Sequence, residues 1–200
     1  MRTLASIVSV ILFISSAALH AIPGDEHWDA QFGEPGILGV NGFLYAITTH
    51  NGQIYASGLF TSSTTNAPVE VWNGAQWNVV GQARGYPQAI VYDMAYVGNY
   101  LYIAGVFTNV SGVAANGLAR WDGSSWSSVG FSGSALSLAV SGNNLYVGGG
   151  FTNATADGSV ATNVASWDGS AWHELGAGLG IPGYGLYSVT VQNGTVYAGG

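Results

Sequence analysis

Cysteine is absent from the 200-residue chain, which excludes a disulfide framework, a thiolate metal site and redox chemistry at sulfur. Lysine is absent as well. The cations are Arg2, Arg84 and Arg120, set against ten aspartates and glutamates for a formal net charge of −7. Only 6% of residues are charged, so the acidity comes from scarce cations and not from acidic runs. Without clustered Lys or Arg nothing neutralises phosphates, and nucleic acids and anionic membrane surfaces are excluded as expected partners. Polarity must come from Ser, Thr, Asn and Gly.

Long apolar runs are scarce too. One stands out: Arg2 precedes a largely apolar stretch from Leu4 to Ile14, followed by Ser15, Ser16, Ala17 and Ala18. That is the layout of a signal peptide, and it is shorter than the roughly 20 residues that span a bilayer. An uncleaved anchor is the alternative. Cleavage is expected after Ala18 or Ala21, with Ala21 favoured because Pro23 and Gly24 open an extended segment. Residues 1–21 therefore read as a signal peptide, and the mature chain as secreted or displayed at the cell surface, with no membrane insertion after signal removal.

What the chain has in quantity is a repeat. Ile54-Tyr55-Ala56-Ser57-Gly58-Leu59-Phe60-Thr61 returns as Leu101-Tyr102-Ile103-Ala104-Gly105-Val106-Phe107-Thr108 and as Leu145-Tyr146-Val147-Gly148-Gly149-Gly150-Phe151-Thr152, and a fourth copy begins at Val196-Tyr197-Ala198-Gly199-Gly200. The tyrosines at 55, 102, 146 and 197 are 47, 44 and 51 residues apart, the period of a propeller blade. Each full copy is followed by a tryptophan pair with fixed spacing: Trp72 and Trp77, Trp121 and Trp126, Trp167 and Trp172.

Alternation and β-branched or aromatic content predict a first strand at Tyr45–Thr49, Tyr92–Tyr96, Leu136–Val140 and Tyr187–Val191. Asn51-Gly52, Gly98-Asn99, Gly142-Asn143 and Asn193-Gly194 then supply tight hairpin turns. The Tyr-x-x-Gly run is the second strand, its glycines placed for close backbone approach where blades converge. A third strand ends at the first Trp, Asp122-Gly123 and its equivalents turn the chain, and a fourth strand starts near the second Trp. No helical period follows residue 22. The expected fold is thus all-β: a β-propeller of four-stranded antiparallel blades, with about three blades plus the start of a fourth, an incomplete ring.

The expected divisions are an N-terminal segment at 22–42, blade 1 at 43–90, blade 2 at 91–135, blade 3 at 136–185 and a truncated blade 4 at 186–200. His27-Trp28-Asp29-Ala30-Gln31-Phe32-Gly33 looks like a shortened copy of the tryptophan element, suited to closing a ring as an outer strand; a loose linker is the alternative. Propellers typically use 4 to 8 blades, so the chain is expected to be a fragment of a longer product. Insertions fall in 61–70, 82–90, 153–162 and 177–185, where loops would present binding contacts.

The cadence Tyr-x-Gly-Gly-x-Phe-Thr followed by Trp-Asp-Gly-x-x-Trp over residues 43–200 resembles the kelch repeat. It is similar to kelch-like arrays of secreted bacterial proteins and of fungal cell-surface polarity-marker proteins, and to the propeller of galactose oxidase. Ser57-Gly58, Asn73 and Ala104-Gly105 depart from the pattern. The resemblance implies a scaffold or recognition role outside the cell and carries no catalytic set.

Candidate chemistry is sparse. A copper oxidase of the galactose oxidase kind needs His, Tyr and a cross-linked Cys, whereas His27, His50 and His173 share no repeat column; no metal or cofactor is expected. Paired carboxylates at roughly 5 to 9 Å would suit glycoside hydrolysis, yet Asp122 and Asp168 are accounted for by turn geometry, and nothing pairs Asp93, Glu70, Asp157 or Glu174. Gly follows Asp directly, so sialidase-type Asp boxes fail. Calcium would need a denser acidic loop. Asn109-Val110-Ser111, Asn153-Ala154-Thr155 and Asn193-Gly194-Thr195 fit the glycosylation acceptor pattern.

Aromatic faces can stack on sugars, but six of the seven tryptophans are repeat-equivalent and read as core. Tyr86, Tyr100 and Tyr184 fall outside the repeated tyrosine columns and are the expected ligand contacts. The leading expectation is a non-catalytic binding or scaffold module for a protein or glycan partner. The alternatives are the non-catalytic portion of a larger secreted, carbohydrate-active enzyme with its catalytic residues beyond residue 200, and a purely structural repeat.

Overall fold

The computed structural model describes residues 43–59, 66–152, 161–180 and 184–200. The signal-peptide and ring-closing readings, with His27, Asn153 and Asp157, lie outside the described residues. Those residues form an all-β structure of four antiparallel sheets with two to six strands, and no helix occurs among them. None of them belongs to a helix long and apolar enough to cross a membrane.

The first sheet takes β1 (Phe43–His50), β2 (Gln53–Leu59), β3 (Asn66–Trp72) and β4 (Trp77–Arg84) in order. The second holds β5 (Ile90–Val97), β6 (Tyr100–Val106), β9 (Leu118–Trp121) and β10 (Trp126–Ser128). The third repeats the meander with β11 (Ser134–Ser141), β12 (Asn144–Gly150), β13 (Val164–Trp167) and β14 (Trp172–Glu174). The fourth is the hairpin β15 (Ser188–Gln192) and β16 (Thr195–Gly199). One element was not expected. The hairpin β7 (Asn109–Val110) and β8 (Val113–Ala114), inside a connection of the second repeat, extends the first sheet by pairing Ala83 with Val110 and Arg84 with Asn109. The insertions read at 61–70 and 82–90 are also shorter than expected, since β3 begins at Asn66, β4 runs to Arg84 and β5 starts at Ile90.

The turns follow residue chemistry. Asn51 and Gly52 have φ of 49° and 76°, and Asn193 and Gly194 have 52° and 76°, the doubly positive geometry that matches strand twist. In the tryptophan element the Asp122 carboxylate accepts from the Ser124 and Ser125 N–H groups at 2.8 Å, and Asp168 does the same for Ser170 and Ala171. Asn73 serves identically for Ala75 and Gln76, so its departure from Asp leaves the turn intact.

The cores lie between sheets. Alternate residues of β6 face opposite ways: Leu101 and Ile103 join Val69, Val71 and Met94 in one cluster, while Tyr102 and Ala104 join Leu138, Leu145 and Val147 in the next. Burying each of the Leu, Ile, Val and Met side chains is worth about 1.5–3 kcal/mol. The tryptophans tie neighbouring sheets together. Trp126 donates its indole N–H to the Val80 carbonyl and Trp172 to that of Val129, both at 2.8 Å, and Trp167 reaches the Tyr102 hydroxyl at 3.2 Å.

First strands of successive sheets lie side by side. Asp93 accepts from the Leu138 N–H at 2.7 Å and Ser137 from the Val189 N–H at 3.2 Å, which fixes these strands in repeat register. The equivalent Ala46 has no acceptor to offer Met94, whose N–H is bonded by Asp93 itself at 2.8 Å. Burial follows the same order. Met94 is 4% exposed against the preceding sheet and its counterpart Ile47 60%; Tyr102 is 1% exposed against the following sheet and its counterpart Tyr197 53%.

Candidate functional site

The meander sorts the connections by end. Turns 51–52, 98–99, 142–143 and 193–194, together with the tryptophan turns, lie at one end of the strands. The connections from second to third strand and from sheet to sheet lie at the other. All the variable spacings of the repeat are therefore on a single rim, held over a frame of constant geometry.

Tyr86 stands on this rim, 94% exposed, and lines a pocket of ≈ 210 Å³ together with Gly85, Phe107, Thr108, Asn116 and Gly133. Tyr184 is on the same rim and also exposed. Its carbonyl accepts from the buried Asn163 Nδ2 at 2.7 Å, and the same amide nitrogen reaches the Leu179 carbonyl at 3.0 Å. Asn163 has φ of 62°, a left-handed conformation that Asn tolerates; it thereby ties the rim connection to the third sheet. Tyr100 is not brought to these two. It starts β6 at the turn end, with the Arg120 guanidinium 4.7 Å above its ring. Tyr100 is exposed, as expected of a residue outside the repeated columns, and packs with a neighbouring cation.

Sequence reading missed a second set of aromatic residues. In β1, β5 and β11 the register slips between Leu44 and Ala46, between Val91 and Asp93, and between Ala135 and Ser137. The extra residue of each bulge is Tyr45, Tyr92 and Leu136; Tyr187 holds the equivalent place just before β15. A bulge leaves its extra residue outside the ladder and re-aims the side chain. The columns on either side of it, such as Val91 and Met94, are buried against neighbouring sheets, while Tyr45 and Tyr187 remain 40% and 73% exposed. The signal was present: apolar columns three apart within one strand break strict alternation. Tyr45 and Tyr92 meet edge to face at 5.9 Å, and Phe43 lies 6.3 Å from Tyr45. Burial first, then the proximity of the Tyr45 and Tyr187 phenols, raises the Tyr92 pKa.

The glycines of the second strand belong to this device. A Cβ at Gly105 or Gly149 would run into the Ile90 or Ser134 carbonyl oxygen of the bulged strand. The close approach is within each sheet at these two positions, and only at Gly148 does it involve the next sheet, through Val189 at 3.3 Å.

The titratable groups are dispersed. Burial raises the Asp93 pKa against the opposing pull of its N–H donors, and burial raises that of Glu70, whose Oε2 has no partner. Asp168 is held well below the usual carboxylate range by His173, 2.7 Å away, and by its turn N–H groups. Among the described residues no three His, Asp or Glu side chains converge as a metal site.

No protein-family model matches the chain. No curated protein matches it in sequence. Among solved structures it is similar to the computationally designed Ika4 protein, with a TM-score of 0.49 and 11% identity over 82% of this chain and 88% of that one. It is also similar to the computationally designed Ika8 protein, with a TM-score of 0.43 and 14% identity, covering 78% of this chain and 42% of that chain.

Proposed function

We propose that the chain is a secreted or cell-surface, kelch-like β-propeller module that binds a protein or glycan partner and catalyses no reaction. The observation that carries this reading is the division between a constant frame and a single variable rim bearing Tyr86 and Tyr184. Recognition surfaces are built from loops held by a rigid scaffold. The blade reading is supported by the successive meanders, the side-by-side first strands and the burial of each sheet face by its neighbour. Export is supported by the apolar stretch after Arg2 and its small-residue boundary.

The test is a glycan and surface-protein array probed with the chain and two variants. Saturable binding that is lost in the Tyr86→Ala/Tyr184→Ala double variant and kept in Tyr100→Ala supports a rim-borne site. Absence of saturable binding, or loss only in Tyr100→Ala, overturns it.

A further inference from the structure

The bulge residues Tyr45, Tyr92 and Leu136, with Phe43 beside the first and Tyr187 at the equivalent place before β15, have no part in either inter-sheet cluster, yet the frame is built to present them. Gly105 and Gly149 are required by the bulge itself. Asp93 and Ser137, the next residues along, hold adjacent first strands in register. A tyrosine placed at the same bulge site in the first two repeats, and at its equivalent in the fourth, is thus repeated at one end of the innermost strands.

We propose that this tyrosine column binds single chains of β-linked pyranose sugars with equatorial hydroxyls. The inference rests on the binding-module reading and assigns it a ligand class and a second locus. Three observations select that class. First, the Tyr45 and Tyr92 rings stand at 77° to each other, forming a corner and not a flat platform. One ring offers its face to the apolar C–H surface of a pyranose while the other turns an edge and a hydroxyl toward it. Such a corner grips an individual chain, not a crystalline sheet of chains. Second, exposed phenols supply hydroxyls that donate and accept, which matches a ligand dense in hydroxyl groups. Third, among the described residues the locus offers no countercharge. Asp93 has both carboxylate oxygens engaged by backbone N–H groups, Arg120 is at the turn end and Arg84 ends the fourth strand of the first sheet. Among the described residues an anionic or cationic ligand would find no free charged partner there.

The experiment is isothermal titration of the full chain with cellohexaose, repeated with Tyr45→Ala/Tyr187→Ala, Tyr45→Phe/Tyr187→Phe and Tyr86→Ala/Tyr184→Ala, and with a decaproline peptide as competing ligand. Tyr45 and Tyr187 are exposed and lie outside both clusters, so their replacement leaves the cores untouched. Saturable cellohexaose binding, weakened at least tenfold by the alanine pair, weakened by a smaller factor by the phenylalanine pair and unchanged by the rim pair, is the expected result. No binding, equal affinity in the alanine pair, or binding of decaproline in place of cellohexaose overturns the inference. If cellohexaose fails while array binding dependent on Tyr86 and Tyr184 persists, this inference alone falls; if both fail, the module reading falls with it.

Discussion

Gly81 and Trp126 give a direct test of how neighbouring sheets are joined. A Cβ built on Gly81 lies 2.6–2.7 Å from three ring atoms of Trp126, closer than real contacts allow. The ring cannot swing aside, because its N–H is bonded to the Val80 carbonyl at 2.8 Å and its face is stacked on Trp121 at 6.3 Å. Gly81 has no positive φ, so alanine there meets the indole and no backbone strain. Gly81→Ala should therefore destabilise by about 1–3 kcal/mol, the usual range for overpacking. Trp126→Ala alone should cost about 3–5 kcal/mol. In that background the obstructing ring is gone, and Gly81→Ala becomes neutral or favourable by about 0.4–1 kcal/mol through the unfolded chain. The coupling energy of the double-mutant cycle is then about 1–4 kcal/mol. Urea unfolding followed by far-ultraviolet circular dichroism measures all four proteins, each midpoint being taken against that protein's own folded and unfolded baselines. Equal cost of Gly81→Ala in both backgrounds would refute the contact.

Three further outcomes are expected. Gly105→Ala forces its Cβ into the Ile90 carbonyl and should lower the melting midpoint by several degrees, whereas Gly112→Ala, with open space around its Cβ position, is strained only by its φ of 93° and should cost less; a reversed order in thermal scans would contradict the bulge. Glu70 has its pKa raised by burial, so ionisation opposes folding: the penalty is absent below the unfolded pKa, grows as pH rises through the folded value and is complete above it. Glu70→Gln should thus raise the melting midpoint at pH 7 and leave it unchanged near pH 3, and a gain that is the same at both pH values would exclude this cause. Asp122→Asn should be tolerated, because Asn73 makes the same two turn bonds, while Asp122→Ala should lower the midpoint; equal effects of the two would show that the side-chain acceptor is irrelevant.

The parts of the fold that were legible are those whose cause is local or repeats. The third strand ends at Trp72, Trp121 and Trp167 and the fourth begins at Trp77, Trp126 and Trp172, as the fixed spacing predicts, because an Asx turn with a glycine in the left-handed region can be read from four residues. Hairpin turns were legible for the same reason. The β7–β8 hairpin was not, since Asn109-Val110 and Val113-Ala114 are two-residue strands whose pairing with Ala83 and Arg84 comes from another repeat and leaves no local pattern. Tyr86, Tyr100 and Tyr184 all stand out in the sequence as exceptions to the columns, and all three are exposed. Only the fold reveals that Tyr100 starts a strand at the turn end beside Arg120.

The tyrosine column was hidden by its own regularity. A residue that recurs at one site in every repeat is ordinarily a packing residue, and that logic is right for Tyr55 and Tyr102, which are buried by the following sheet. It fails for Tyr45 and Tyr92 because a bulge interrupts the two-residue period and takes one position per strand out of the inter-sheet clusters, and Tyr187 holds the same place before β15. Recurrence then serves presentation instead of burial. The discriminating clue lies on the partner strand: Gly105 and Gly149 are conformationally ordinary, without positive φ, and are glycine only because a bulged carbonyl occupies the space of a Cβ. A repeated glycine opposite a repeated aromatic residue thus points to an aromatic side chain displaced from the core, in this chain at the same end of the strands as the variable rim.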